Sequence, residues 1–214
     1  MPAILYILIV LLMLLNFRLL GSSRIAACIQ TVAAQAVLFG ATAVAINWPH
    51  LHWQIGLIVI LSVVIKAVLL PWLLRRAVRE SGASREIEPL VGFNLSLLLG
   101  VALLGLCLLV ASSLPVPGDT SNGLLLPAAL FTAVTGLFLI ICRKKAVTQV
   151  LGYLTMENGI NAFGMAFAVN ETLLVAMAVL LDVLVAVLVM GIAIYHISRE
   201  FDHIDTDKLS ALKE

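Results

Sequence analysis

Charge is scarce in this sequence. Of the 214 residues 12% are charged, against roughly 25% in ordinary soluble domains, while 62% are hydrophobic and the mean hydropathy is +1.13. Such a chain cannot cover a water-exposed surface, so the composition predicts an integral membrane protein with one membrane domain. The net charge of +1 provides no basic surface, and we therefore expect no nucleic-acid partner.

Paired cysteines and catalytic motifs are also missing. Cys28, Cys107 and Cys142 stand far apart, without a CxxC motif or histidines at metal-ligand spacing, which argues against disulfides, zinc and iron–sulfur clusters. His50 and His52 spell HxH, but no further ligands lie nearby, so we expect interfacial side chains and no metal. No phosphate loop, nucleophile elbow or HExxH motif occurs. We therefore expect no enzymatic activity from this chain alone.

Long apolar runs are what the sequence has in abundance. Most of them reach the roughly 20 residues that span about 30 Å of hydrocarbon. The first run has no Lys or Arg before it, so we interpret it as an anchor, not a cleaved signal. The sequence predicts an all-α, polytopic transmembrane helix bundle of about seven spans, at residues 2–17, 25–47, 54–74, 90–112, 124–142, 146–168 and 172–195.

The basic residues predict the orientation of these spans. Twelve of the 13 Lys and Arg residues fall in loops one, three and five or in the C-terminal tail, and loops two, four and six have none. The positive-inside rule assigns the side that carries them to the cytoplasm. We therefore expect the N-terminus outside and the C-terminus in the cytoplasm. The thirteenth basic residue, Lys66, lies within the third predicted span.

Three ionisable residues are predicted at membrane depth: Lys66, Glu157 and Asp182. An ionised side chain near the bilayer centre costs from about 2.5 to well over 10 kcal/mol, depending on how it is relieved. Such groups usually face the protein interior, pair with each other and serve ion or proton pathways. We predict a proton relay of these three residues. The alternative is a structural ion pair that only holds helices together.

Polar residues recur around Glu157 at helical spacing. Gln149, Tyr153, Glu157 and Asn161 are four residues apart, so a helix places them on one stripe that should face inward. Together with Asn158 they are candidates for supporting polar groups. A second, weaker polar set is interpreted as interhelical hydrogen bonding: Gln30, Thr31, Gln35 and Ser62.

Several motifs together carry a family resemblance. The basic turn RKK, the segment LGYLTMENG, an acidic residue one helix later and the ending IDTDKLSALKE make residues 130–214 resemble subunit K of respiratory complex I and the C subunits of multi-subunit cation/proton antiporters. With IKAVLLP at residues 65–71, nearly the whole chain resembles membrane component E of hydrogenase-4. We accordingly divide it into N-terminal spans at 1–129, about four in number, and a subunit-K-like three-helix unit with a cytoplasmic tail at 130–214.

The resemblance implies roles residue by residue. Asp182 matches the second buried Glu of subunit K, which implies proton transfer. The first Glu of subunit K corresponds to Leu154, so Glu157 lies one helical turn further along, on the same face and about 4.5 Å away in depth. Lys66 has a counterpart only in component E.

The implied function is that of a noncatalytic membrane subunit in a hydrogenase-4 or formate-hydrogenlyase type assembly in a bacterial or archaeal cytoplasmic membrane. It would contribute to proton or sodium translocation beside antiporter-like subunits. A cytoplasmic hydrogenase-like arm would hold the nickel–iron centre and iron–sulfur clusters, and this chain no cofactor. Two alternatives remain open: a cation/proton antiporter subunit without a redox partner, and a membrane scaffold.

Overall fold

The computed structural model describes residues 2–47, 53–80, 90–114 and 123–167, and these form helices without a β-strand. A five-residue π-helical turn, Ile65–Leu69, joins two of the helices. The seven α-helices are α1 Pro2–Gly21, α2 Ile25–Asn47, α3 Trp53–Val64, α4 Leu70–Glu80, α5 Phe93–Ser113, α6 Leu125–Cys142 and α7 Ala146–Phe167.

Helical segments occupy the first six of the predicted spans. Among the residues that the structure describes, four helices are long and apolar enough to cross a membrane: Ala3–Gly21, Ile25–Ile46, Phe93–Ser113 and Leu125–Cys142. Several such helices make this a multi-pass membrane protein. The all-helical fold is thereby confirmed. The count of seven spans and the orientation of the termini stay predictions, and the seventh predicted span, 172–195, lies outside the described residues.

Helices α6 and α7 form the closest contact among the described helices. They run antiparallel, and three glycines, Gly136, Gly152 and Gly159, bring their backbones together. A Cβ atom added at Gly152 would lie 2.8 Å from the carbonyl oxygen of Gly136 and 2.9 Å from the amide nitrogen of Ile140. Helices in lipid gain no hydrophobic driving force for association. Small residues at their interface allow the close van der Waals packing that holds them together instead.

The remaining helices surround this pair to different extents. Helices α1 and α2 pack against each other and against the pair, α1 on α6 and α2 on α7. The segment α3, π turn and α4 packs on α2, and α5 touches α1 and α6. A buried apolar cluster joins five elements through Leu19, Ile29, Leu70, Leu139 and Leu154.

The π turn follows from a proline. In an α-helix Pro71 would donate to the carbonyl of Ala67, but it has no N–H, and its ring would clash with that carbonyl. The chain inserts a residue instead, and the Leu70 amide bonds to Ile65, five residues back. A π turn rotates the side chains on either side relative to each other, and such turns are frequent at functional sites. Lys66 is the buried residue of this turn.

Candidate functional site

The π turn and α7 bring two opposite charges together. Nζ of Lys66 lies 3.1 Å from Oε1 of Glu157. The Glu157 residue is 1% exposed and Lys66 8% exposed, so both are buried. The residues are 91 positions apart in sequence, and the sequence predicted their proximity only through their shared depth. The geometry makes them an ion pair inside the helix bundle.

A buried amide also contacts this pair. Nζ of Lys66 donates a hydrogen bond of 3.3 Å to Oδ1 of Asn158, the residue that follows Glu157. Asn158 is itself buried. The ammonium group therefore lies between two consecutive side chains of α7. The second carboxylate oxygen of Glu157, Oε2, has no hydrogen-bond partner among the residues that the structure describes.

The supporting residues of the predicted polar stripe lie in different surroundings. Tyr153 and Asn161 are half-buried, and Tyr153 packs on the apolar cluster. Gln149 is exposed near the start of α7 and donates to the carbonyl of Arg143 over 3.2 Å. The stripe thus faces the interior at Glu157 but not at Gln149. Asp182, the third predicted relay residue, lies outside the described residues.

A polar cluster that sequence reasoning recognised only in part lies across α1, α2 and α6. Nδ2 of Asn16 donates to Oγ1 of Thr132, and Nε2 of Gln35 donates to Oδ1 of Asn16, both over 2.8 Å. All three residues are fully buried. Gln35 makes the interhelical bond that was predicted for it, whereas the hydroxyl of Thr31 bonds within its own helix and Gln30 is exposed. A signal for Asn16 was its place inside the apolar run of α1.

Arg143, in the turn between α6 and α7, is a second residue whose burial was not foreseen. It donates a 2.9 Å bond to the carbonyl of Leu20 at the end of α1, and its guanidinium lies 4.9 Å from the ring centroid of Phe93. Removal from water lowers the pKa of this guanidinium. A cation at a helix C-terminus is favourable, so Arg143 ties α1 and α5 to the close-packed pair.

The ion pair can exist in more than one charge state. Two opposite charges in a low-dielectric interior stabilise each other, and removing one leaves the other uncompensated. Protonation of Glu157 or deprotonation of Lys66 would break the pair and change the contacts between the π turn and α7. The arrangement can therefore couple proton occupancy to the packing of two helices.

Comparisons with known proteins show what this chain is similar to. A family model described as NADH-ubiquinone/plastoquinone oxidoreductase chain 4L matches residues 124–214. An uncharacterized protein of Mycobacterium tuberculosis is 39% identical over 156 residues, which are 70% of this chain and 69% of that protein. Hydrogenase-4 component E of Escherichia coli K12 is 28% identical over 148 residues, 69% and 68% of the two chains. The chain belongs to one family with the Mycobacterium tuberculosis protein and is similar to hydrogenase-4 component E.

The chain is thus similar to complex-I-related membrane subunits. The component E of Shigella flexneri matches with the same identity and coverage as that of Escherichia coli. No solved structure matches the chain. The stretch that matches chain 4L includes α6 and α7, and hence Glu157, whereas Lys66 precedes it. Of the two charges of the site, Glu157 thus lies inside the stretch that matches chain 4L and Lys66 outside it.

Proposed function

We propose that this protein is a noncatalytic subunit of a hydrogenase-4 or formate-hydrogenlyase type complex, and that it contributes mid-membrane charges to proton or sodium translocation coupled to electron transfer. Its partners would be antiporter-like membrane subunits and a cytoplasmic hydrogenase-like arm. The nickel–iron centre and iron–sulfur clusters would belong to that arm. The setting would be a bacterial or archaeal cytoplasmic membrane.

The buried ion pair of Lys66 and Glu157 is the observation that carries this proposal. Glu157 lies 11 residues along α7 from Ala146, which is about 17 Å at 1.5 Å per residue. Lys66 lies nine residues before Arg75, about 14 Å. Both distances are near half of a hydrocarbon core of about 30 Å. Charges held at that depth are by default part of an ion or proton pathway.

One further residue, Asp182, enters the proposal on the family relationship and not on contacts. Asp182 would continue the relay from Glu157 one helix further along the chain. The division into N-terminal spans, 1–129, and a subunit-K-like unit, 130–214, would then place Lys66 on one unit and both acids on the other. Asn158 would hold the ammonium group of Lys66 when Glu157 is protonated.

The test is substitution in the assembled complex. Glu157→Gln keeps the size of the side chain and removes its ability to carry a proton. We expect the purified complex to assemble, to keep hydrogenase activity in detergent, and to translocate ions in proteoliposomes at least about a hundredfold more slowly, since a positioned proton carrier typically contributes that much. Lys66→Arg, which keeps the charge, is the matched milder variant and should retain part of the translocation.

Two results would contradict the proposal. If Glu157→Gln assembles and translocates normally, the pair is only a structural contact. If a complex purified through a tag on this chain contains antiporter subunits and no hydrogenase-like arm, the coupling to electron transfer is wrong.

A further inference from the structure

The buried hydrogen bonds of α1, α2 and α6 form one chain with a fixed direction. Thr132 donates to the carbonyl of Ala128 in its own helix and accepts from Nδ2 of Asn16. Asn16 then accepts, through Oδ1, from Nε2 of Gln35. The NH₂ group of Asn16 therefore points toward Thr132, and the NH₂ group of Gln35 points toward Asn16. The oxygen of Gln35 is left at the end of the chain.

That last oxygen is buried and lacks a donor. Oε1 of Gln35 has no hydrogen-bond partner among the described residues, and the Gln35 residue is completely buried. Leaving a buried acceptor unsatisfied costs about 1–3 kcal/mol, so such groups are nearly always met by protein or by ordered water. Oε2 of Glu157 is in the same condition. Two unpartnered acceptors therefore require two O–H or N–H donors.

The packing of the helices brings the two acceptors to within about one helical turn of each other in depth. Gly159 of α7 lies against Ala133 of α6, the residue next to Thr132. Because the helices run antiparallel, Thr132 is level with about Ile160, one helical turn beyond Glu157 of the ion pair. Gln35 reaches this level through Asn16. Its helix, α2, packs against both α7 and the π turn that bears Lys66.

We propose that the interface of α2 with α7 holds an ordered water molecule that donates one hydrogen bond to Oε1 of Gln35 and the other to Oε2 of Glu157. A water has two O–H donors, one for each of these two oxygens, and a buried water needs two to four polar partners. Gln35 is then a positioning residue that acts on Glu157 through this water. Asn16 and Thr132 hold Gln35 in the orientation that presents its oxygen.

The effect of this water on ion translocation rests on the proposed function, whereas the presence of the water can be tested without it. A high-resolution structure of the wild-type complex in a membrane mimetic should show density for a water within about 3 Å of both oxygens. A protein donor on Oε1 of Gln35, or a dry contact between α2 and α7 at this level, would overturn it. Neither result depends on ion transport.

The functional test compares two substitutions in α2. Gln35→Met keeps the length of the side chain but removes the acceptor, and we expect translocation to fall about fivefold with a displaced pH profile, which corresponds to about 1 kcal/mol for one hydrogen bond. Thr42→Val is the control, since its buried hydroxyl donates only to Leu38 of the same helix. It should leave the rate and the pH profile unchanged.

The outcomes separate this inference from the function itself. If Gln35→Met translocates with the wild-type rate and pH profile while Glu157→Gln is impaired, the water link is wrong and the relay stands. If Glu157→Gln is unimpaired, the proposed function fails whether or not the water is found. If Gln35→Met prevents assembly, the density in the wild-type structure decides.

Discussion

Helices α6 and α5 are neighbours of similar apolarity, yet they use their surfaces in opposite ways. Over half of α6 is buried within the chain, where its backbone meets that of α7, while 17% of α5 is buried. Side chains such as Leu98 and Leu109 of α5 stand about two-thirds exposed. The pair α6–α7 is therefore a frame fixed by backbone contact, and α5 turns most of its surface to lipid or to other subunits.

The two charges of the site differ in the same way, in how tightly the segments that carry them are packed. Glu157 belongs to the frame, whereas Lys66 comes from the segment of α3, the π turn and α4, which packs mainly on α2 and exposes Ile60 and Val68. The acid is thus held by close packing, and the base by a segment with an irregular turn and a largely outward surface. Of the two residues of the ion pair, Lys66 is therefore the one on the less tightly packed segment.

The largest expected effect comes from forcing the frame apart. In Gly159→Leu the new side chain would collide with the backbone of Ala133, and because a backbone cannot rotate away we expect a loss of about 3 kcal/mol or more. Gly164→Leu, in the same helix, meets nothing within 4 Å and is the control. Thermal unfolding and yield in detergent measure both. Equal behaviour of the two variants would show that the close approach is not needed.

A double-mutant cycle on the ion pair should give the next largest effect. Lys66→Met strands the carboxylate of Glu157, and Glu157→Leu strands the ammonium group, so each change should cost about 3 kcal/mol of unfolding free energy. The double variant leaves no charge behind and should cost clearly less than the sum. Unfolding in mixed micelles gives the coupling energy. Additive losses would mean that the two side chains do not pair.

Substitution of Pro71, the cause of the π turn, tests how Lys66 is positioned and should have a smaller effect on stability. Pro71→Ala restores an N–H that can bond to Ala67, so the turn can revert to an α-helix and rotate Lys66 away from Glu157. Relief of the irregular turn offsets part of the lost pairing, and we expect a net change of about 1 kcal/mol. Ion translocation should fall more than stability does. Unchanged translocation would show that the π turn does not position Lys66.

The sequence was sufficient for the helices, and it placed both residues of the ion pair in one predicted site. The length of an apolar run reflects the thickness of hydrocarbon that a helix spans. The predicted segments from 2–17 to 146–168 all contain helix. Depth follows from counting residues along a helix, which is why Lys66 and Glu157 were predicted to meet. Neither argument needs to know how a helix is rotated about its axis.

Contacts that depend on that rotation could not be predicted. Asn16 pairs with Gln35 and Thr132 only because α1, α2 and α6 turn these faces to one centre. Gln149 follows the four-residue spacing of the stripe but lies exposed at the helix end, where it bonds to Arg143 instead. Pro71 could have indicated an irregular helix, but not that the irregularity would be a π turn bearing the buried lysine.

The smallest effect on stability should come from a substitution on the outward face of α5. The same substitution tests whether lipid or another subunit covers that face. Leu98 is 68% exposed, so Leu98→Ala removes few contacts within the chain and should change the unfolding free energy of the isolated subunit by less than about 0.5 kcal/mol. Leu154→Ala, at a 4% exposed position of the buried cluster, is the matched change and should cost about 2 kcal/mol or more. A large loss at Leu98 in the isolated chain would mean that α5 is more tightly packed than its exposure indicates. If Leu98→Ala leaves the subunit stable but lowers recovery of the assembled complex, another subunit covers this face; if both are unchanged, lipid does.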